Sequence, residues 1–203
     1  MKTKSTVLAL MVCAIGLAGC AKEPTEAIEA SRAAFESAKT AEAPTYAQAE
    51  YTQAEISMKK MQVELESQEK KFPLFRKYDA TVQAASDAKM AAEKAVAEAE
   101  AGKDEVKTQA TNLLDETRQA LRELEGMIAA APKGKDSAAD LKMIQADVQG
   151  IETTLAQVDQ SISDGKYKDA FVRTEAAKRL TEEIHGELEA AMNAQAQAMG
   201  SRR

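Results

Sequence analysis

Few residues in this sequence could do chemistry, and they do not converge. Two cysteines, Cys13 and Cys20, offer thiols, and one histidine, His185, offers an imidazole. A metal centre needs three or four His, Cys or carboxylate ligands brought together. His185 instead stands between Ile184 and Gly186 on a Glu-rich stretch, as a surface histidine does. Glu64, Glu66 and Glu69 scatter around a helix like solvated charge rather than gathering as a ligand set. The sequence holds no Gly-rich phosphate loop, nucleophile elbow or Ser/His/Asp arrangement. No catalytic, cofactor-binding or metal residue is therefore assigned, no cofactor is expected, and the chain is read as a non-enzyme.

Cys20 stands apart because of what precedes it. Lys2 and Lys4 open the chain with positive charge, and residues 7–19 are apolar or small without a charge. That is the pattern of a secretory signal, too short to span as an ordinary transmembrane helix. It ends Leu17-Ala18-Gly19-Cys20, which resembles the lipobox of bacterial lipoproteins. The resemblance implies a signal peptide over residues 1–19 that is removed, followed by a lipidated N-terminus and tether at residues 20–24. Cys13 leaves with the signal and Cys20 carries the lipid, so no disulfide is expected despite an oxidising compartment. One acyl chain anchors only marginally, at about 0.8 kcal/mol per buried CH₂; the several chains that a lipobox implies, palmitate among them, hold a protein on a membrane. The resemblance also implies the periplasmic face of the outer membrane, because Ala21 rather than Asp follows the cysteine. Lys22 is an inner-membrane retention feature in some bacteria and makes that membrane the second choice.

The rest of the chain is acidic. Lys2 and Lys4 fall in the signal, so 25 basic residues face 33 Asp and Glu and the mature formal charge is −8. Such a domain is not expected to bind nucleic acid by bulk attraction. Aromatics make up 4% with no Trp, and strong helix formers dominate, so helices are expected and strands are not.

Periodicity organises those helices. Leu141, Ile144, Val148, Ile151, Leu155, Val158 and Ile162 alternate steps of three and four, an a/d seam. Ninety residues earlier stand Tyr51, Ala54, Met58, Met61, Leu65, Gln68 and Phe72, apolar at six of seven positions. Ala43-Pro44 recurs as Ala131-Pro132, Asp79-Ala80 as Asp169-Ala170, Val82 as Val172 and Glu93 as Glu183, the marks of an internal duplication. Each unit reads as a leader helix, a Pro-marked break, a seam helix, a turn and a closing helix. Leaders are predicted near 26–41 and 104–130, seams near 46–71 and 137–162, and closing helices near 74–101 and 167–199. Only Gly102 weakens the link between the first closing helix and the second leader, so one helix over 74–130 is expected. Glu55 with Lys59, Glu66 with Lys70 and Glu175 with Arg179 are expected to pair at i, i+4. The expected fold is all-α: an elongated helical bundle or antiparallel coiled coil of two tandem three-helix units, 25–102 and 103–199, sharing a long connecting helix, with a disordered tail at 200–203. An a/d seam is satisfied by a helix of the same chain or of a second copy, so self-association stays open.

Gly165-Lys166-Tyr167-Lys168-Asp169-Ala170, followed by Ala176, Ala177 and Leu180 at helical spacing, resembles the Ala- and Glu-rich helical domain of unknown function found in envelope lipoproteins. That family sometimes places the domain ahead of an outer-membrane protein A-like peptidoglycan-binding domain; none is read within these residues. The resemblance implies location and fold, without an activity. The short trimeric lipoprotein that links outer membrane to peptidoglycan is a poor match, because Pro44, Pro73 and Pro132 interrupt the heptads and the chain ends Gly200-Ser201-Arg202-Arg203. Non-covalent contact with peptidoglycan stays open.

One segment departs from the acidic background: Lys70-Lys71-Phe72-Pro73-Leu74-Phe75-Arg76-Lys77-Tyr78. Phe72 and Phe75 either plug the end of a small bundle, with cations near a helix C-terminus where they are favoured, or meet a membrane or partner together with Lys70, Lys71, Arg76 and Lys77. A sixteen-residue leader leaving Cys20 and a seam helix returning toward it would bring this turn back to the bilayer. The whole reads as a lipid-anchored, non-enzymatic periplasmic scaffold or adaptor of the cell envelope, held on the membrane through Cys20 and presenting a face to an envelope protein or to itself. The alternative is a periplasmic binding module or chaperone-like bundle for an apolar ligand or client protein.

Overall fold

Alanine and other straight-chain helix formers set the local structure. The computed structural model describes residues 22–131 and 138–200, and every regular element among them is helical. Helix α1 is Thr25–Thr40, α2 is the single turn Ala43–Tyr46, α3 is Gln48–Glu69, α4 is Asp79–Ala130, α5 is Ala138–Ser163 and α6 is Tyr167–Gly200; a 3₁₀ turn, Pro73–Phe75, lies between α3 and α4. Residues 201–203 and the Pro132 break lie outside the described residues. No described helix is long and apolar enough to cross a membrane.

Pro44 and Pro73 start elements rather than merely interrupting them. Each sits at the first or second position of a short helix, where a missing N–H and a fixed φ are no handicap. The first seam helix therefore begins at Gln48 rather than Tyr46, because residues 43–46 close their own turn and Ala47 leaves helical geometry at φ −141°, ψ 54°. The long connecting helix begins at Asp79 rather than Leu74, because Arg76 is extended at φ −71°, ψ 134°. Gly102 does not interrupt it, and α4 runs unbroken for 52 residues.

The chain divides into two units, Met1–Ala101 and Gly102–Arg203, with α4 contributing a segment to each. In the first unit α1, α3 and the first half of α4 enclose two clusters. One is built from Ala38, Ala43, Ala47, Ala54, Ala92, Ala95 and Ala99, with the Phe35 ring stacked on Tyr51 at 5.3 Å. The other holds Ile28, Met61, Leu65, Tyr78, Ala85 and Ala88. In the second unit Leu114, Leu121, Leu124 and Ile128 of α4 meet Val148, Ile151, Leu155 and Val158 of α5 and Ala170, Ala177, Ile184 and Leu188 of α6. The second seam is thus filled by helices of its own chain. The first seam ends early: Gln68 is buried on it and Phe72 is exposed.

Buried hydroxyls are satisfied mostly by their own helix. Thr117, Thr174 and Thr181 donate to the carbonyls of Leu113, Ala170 and Ala177 at 2.7, 2.7 and 2.9 Å, the back-bonding that lets Thr sit inside a helix. Ser31 donates to the Ile28 carbonyl at 2.7 Å. Surface ion pairs cross between helices in the second unit, Arg118 with Asp159 and Lys178 with Glu116. The three expected i, i+4 pairs do not form; Glu66 instead accepts a hydrogen bond from Gln62 at 3.1 Å.

Gly165 ends α5 in the left-handed region at φ 76°. Lys166 N–H bonds the Ser161 carbonyl at 2.8 Å and Gly165 N–H the Ile162 carbonyl at 3.1 Å, a Schellman stop for which glycine is suited. Ser161 Oγ then donates to Asp169 Oδ2 at 3.1 Å, and Arg173 Nε reaches the same oxygen at 2.9 Å. The Gly-Lys-Tyr-Lys-Asp-Ala stretch is therefore a helix–turn–helix device whose polar residues serve the turn.

Two outcomes follow. Leu124→Ala, at a fully buried side chain, is expected to lower stability by about 2–5 kcal/mol, and Ala95→Leu, which adds volume at an equally closed site, by about 1–3 kcal/mol; chemical unfolding followed by circular dichroism reads both. The second concerns acid. The hydrogen bond from Arg173 foremost, with a further one from Ser161, holds the Asp169 carboxyl below its ordinary range, and Gln160 foremost, with Lys166, does the same for Asp164. A depressed folded-state pKa contributes stability above the unfolded value and loses it as pH falls through the folded one, so the loss lies below about pH 4. Thermal unfolding between about pH 7 and about pH 3 is expected to show Asp169→Asn less stable at neutral pH and less acid-sensitive than the parent.

Candidate functional site

The turn between α3 and α4 is built from the end of α3 outward. Lys70 is the C-cap of α3 and is itself still in helical geometry at φ −69°, ψ −16°. Phe72 is extended at φ −58°, ψ 138°, as a residue before proline must be, and Pro73 starts the 3₁₀ turn that Phe75 N–H closes on the Phe72 carbonyl at 2.8 Å.

Two side chains pin this turn. Arg76 donates through Nη2 to the Glu69 carbonyl at 2.9 Å and through Nε to the Lys71 carbonyl at 3.1 Å. A guanidinium is thereby placed on the carbonyls at the end of α3, where the helix dipole favours a cation. Gln68, buried to 4% exposure, accepts at Oε1 from Lys77 N–H and from Lys71 Nζ, both at 3.0 Å, and donates through Nε2 to Glu64 at 2.8 Å. One amide ties both ends of the loop together.

Phe72, Leu74 and Phe75 are 65%, 67% and 72% exposed, and the two rings lie 6.3 Å apart. They do not plug the bundle. That end of the core is closed instead by Tyr78, Leu65, Met61 and Ile28. Because Ile28 belongs to the first turn of α1, the turn sits at the end of the first unit where the chain enters from residues 22–24.

The residues singled out from sequence are placed as follows. Lys70, Lys71, Phe72, Phe75, Arg76 and Lys77 come together in this one turn; Cys20 lies outside the described residues. His185 is half-buried on α6 beside buried Ile184, and no group of His, Cys, Asp and Glu among the described residues could hold a metal. Leu74 and Gln68 were missed by that reading. Leu74 is simply the third residue of the four-residue apolar run 72–75, and Gln68 is visible in the sequence only as the single polar residue on the first seam. Surface troughs in the second unit are shallow and open to solvent; one of about 420 Å³ is lined by Ala146, Gly150, Ile151, Ala176, Ala177 and Leu180. No protein-family model, curated protein or solved structure matches this chain.

Gln68→Leu is expected to remove the acceptor from Lys77 N–H and loosen the turn, at a cost of about 1–2 kcal/mol. Hydrogen exchange resolved to residues 71–78 is expected to show faster exchange there than in the parent, while the helices of the second unit keep their protection.

Proposed function

We propose that this protein is a lipid-anchored, non-enzymatic helical scaffold of the bacterial cell envelope. Cleavage before Cys20 and acylation of its thiol leave two three-helix units standing in the periplasm, on the outer membrane. The observation that carries this reading is Leu17-Ala18-Gly19-Cys20 behind a charged and then apolar leader, five residues before Thr25 opens α1. The resemblance of 165–170 and the helix after it to the Ala- and Glu-rich domain of envelope lipoproteins points the same way.

The arrangement of the surface supports a scaffold over a ligand-binding module. The described cores are filled mostly by Ala, Leu, Ile and Val, with Met61 and Tyr78, in well-covered clusters, and the troughs beside them are open. A scaffold presents its helix faces, and in this chain those faces are dense in Glu, Lys and Asp. On this reading an envelope protein, a second copy of the chain or the cell wall is met along a helix face.

Feeding an alkyne-bearing fatty acid to cells producing the full chain tests the anchor. Label and an acyl mass on an N-terminal Cys20 are the expected result, with both absent in Cys20→Ser and the labelled protein floating with outer-membrane fractions. A mature chain that starts elsewhere, or an unmodified thiol, defeats the reading.

A further inference from the structure

Eight consecutive residues, 70–77, carry four cations and no acid in a chain whose formal net charge is −6. None of the four makes an ion pair: Arg76 is bonded to carbonyls and Lys71 to a neutral amide. Between the two cation pairs stand Phe72, Leu74 and Phe75, each about two-thirds exposed or more. The other exposed large apolar residues of the described chain, such as Ile56, Val63, Met90 and Met143, stand singly along helices. Only here, among the described residues, do three share one turn.

We infer that the turn 70–77 is a second membrane contact, in which Phe72, Leu74 and Phe75 enter the interface of an anionic phospholipid surface and Lys70, Lys71, Arg76 and Lys77 lie at its phosphates. Aromatic and aliphatic side chains flanked by cations match the layering of a bilayer surface, where rings sit at headgroup level and Lys and Arg reach anionic lipid. The backbone is prepared for it. Lys71, Phe75, Arg76 and Lys77 have their N–H groups bonded to Gln68, Phe72, Pro73 and Gln68 respectively, and Pro73 has none to satisfy. Little unpaired backbone is thereby carried out of water. A protein partner would be specified by directional polar groups, and the apex Phe-Pro-Leu-Phe offers no polar side chain.

Placement completes the argument, and this part rests on Cys20 being the lipid anchor. Five residues from Cys20 to Thr25 span at most about 18 Å, and the start of α1 shares a packed cluster with Tyr78 at the far side of the turn. A lipid on Cys20 keeps the turn beside the bilayer, and insertion of the turn fixes the angle at which the first unit leaves the membrane.

The test uses the full chain, made with its own signal and purified from membranes, carrying Leu74→Cys with an environment-sensitive fluorophore; Ile56→Cys, on the middle of α3, is the control. On vesicles of phosphatidylglycerol and phosphatidylcholine the label at 74 is expected to shift to the blue and be quenched by nitroxide-bearing lipid, while the label at 56 stays aqueous. Replacing Lys70, Lys71 and Lys77 with Gln is expected to lower the inserted fraction relative to the free fraction about a hundredfold, at about fivefold per cation; Arg76 is kept because it caps α3. Far-UV circular dichroism of each variant checks that it is folded. A label that stays aqueous on anionic vesicles while the protein remains attached overturns the inference and leaves the anchor standing. A chain without acyl mass whose label still shifts when mixed with anionic vesicles upholds the inference and removes the anchor. A shift indifferent to lipid charge and to the lysines, or one that follows protein density in the membrane, overturns it in favour of a neutral apolar contact or of a second copy.

Discussion

Each three-helix unit packs under one constraint: the segment of α4 that serves it must keep its buried stripe to one face. In its first half Thr81, Ala85, Ala88, Ala92, Ala95 and Ala99 are buried, and in its second half Ala110, Leu114, Thr117, Leu121, Leu124 and Ile128. Within each half the steps alternate between three and four, so each half offers a continuous seam to its two partners. Between Ala99 and Ala110 the interval is eleven residues, which moves the heptad phase by one position. Gly102 falls inside that interval, where the described side chains are no more than half-buried, so its lack of a side chain removes nothing from either core.

How far sequence reveals such a fold depends on side-chain size. The seam of α5 is written in Leu, Ile and Val, which stand on solvated faces singly rather than in a regular run, and its spacing alone places the helix within a residue or two. Alanine carries no such signal, since it is equally at home on a helix surface and against a neighbouring backbone. The alanine positions 85 to 99 therefore become a core only once α1 and α3 are seen against them. Pro44 and Pro73 mark breaks correctly, yet they do not say whether the residues after Pro73 continue as α-helix. That outcome is decided by Arg76 on the last carbonyls of α3 and by Gln68 on Lys77, contacts seven and nine residues long that no local propensity encodes. Glu55, Lys59, Glu66, Lys70, Glu175 and Arg179 are correctly spaced for pairing but remain solvated, as exposed pairs worth a few tenths of a kcal/mol often do.

The candidate site was legible in composition but not in conformation. A run of cations and aromatics in an acidic chain draws notice at once, and the same run fits a plug inside the bundle as well as a patch outside it. Burial separates the two: Tyr78, the last residue of the run, goes in and closes the core, while Phe72, Leu74 and Phe75 stay out. The division of labour among the cations is equally invisible in sequence. Arg76 is a structural cap, Lys71 braces the Gln68 amide, and Lys70 and Lys77 have no side-chain bond to the rest of the fold.

The alanine-lined cluster of the first unit also changes what that unit gives up on folding. A buried Leu or Ile forfeits roughly 0.5–1 kcal/mol of rotamer freedom, whereas a buried Ala forfeits none, so the smaller area removed from water is offset by a smaller loss of side-chain entropy. Less apolar surface brought out on unfolding also means a smaller heat-capacity change, because that change scales with the apolar area exposed. The stability of an alanine core consequently bends less with temperature than that of a leucine core of equal length. The half of α4 that serves the first unit is held by contacts whose strength varies slowly between cold and warm, and the half that serves the second by contacts with a sharper optimum.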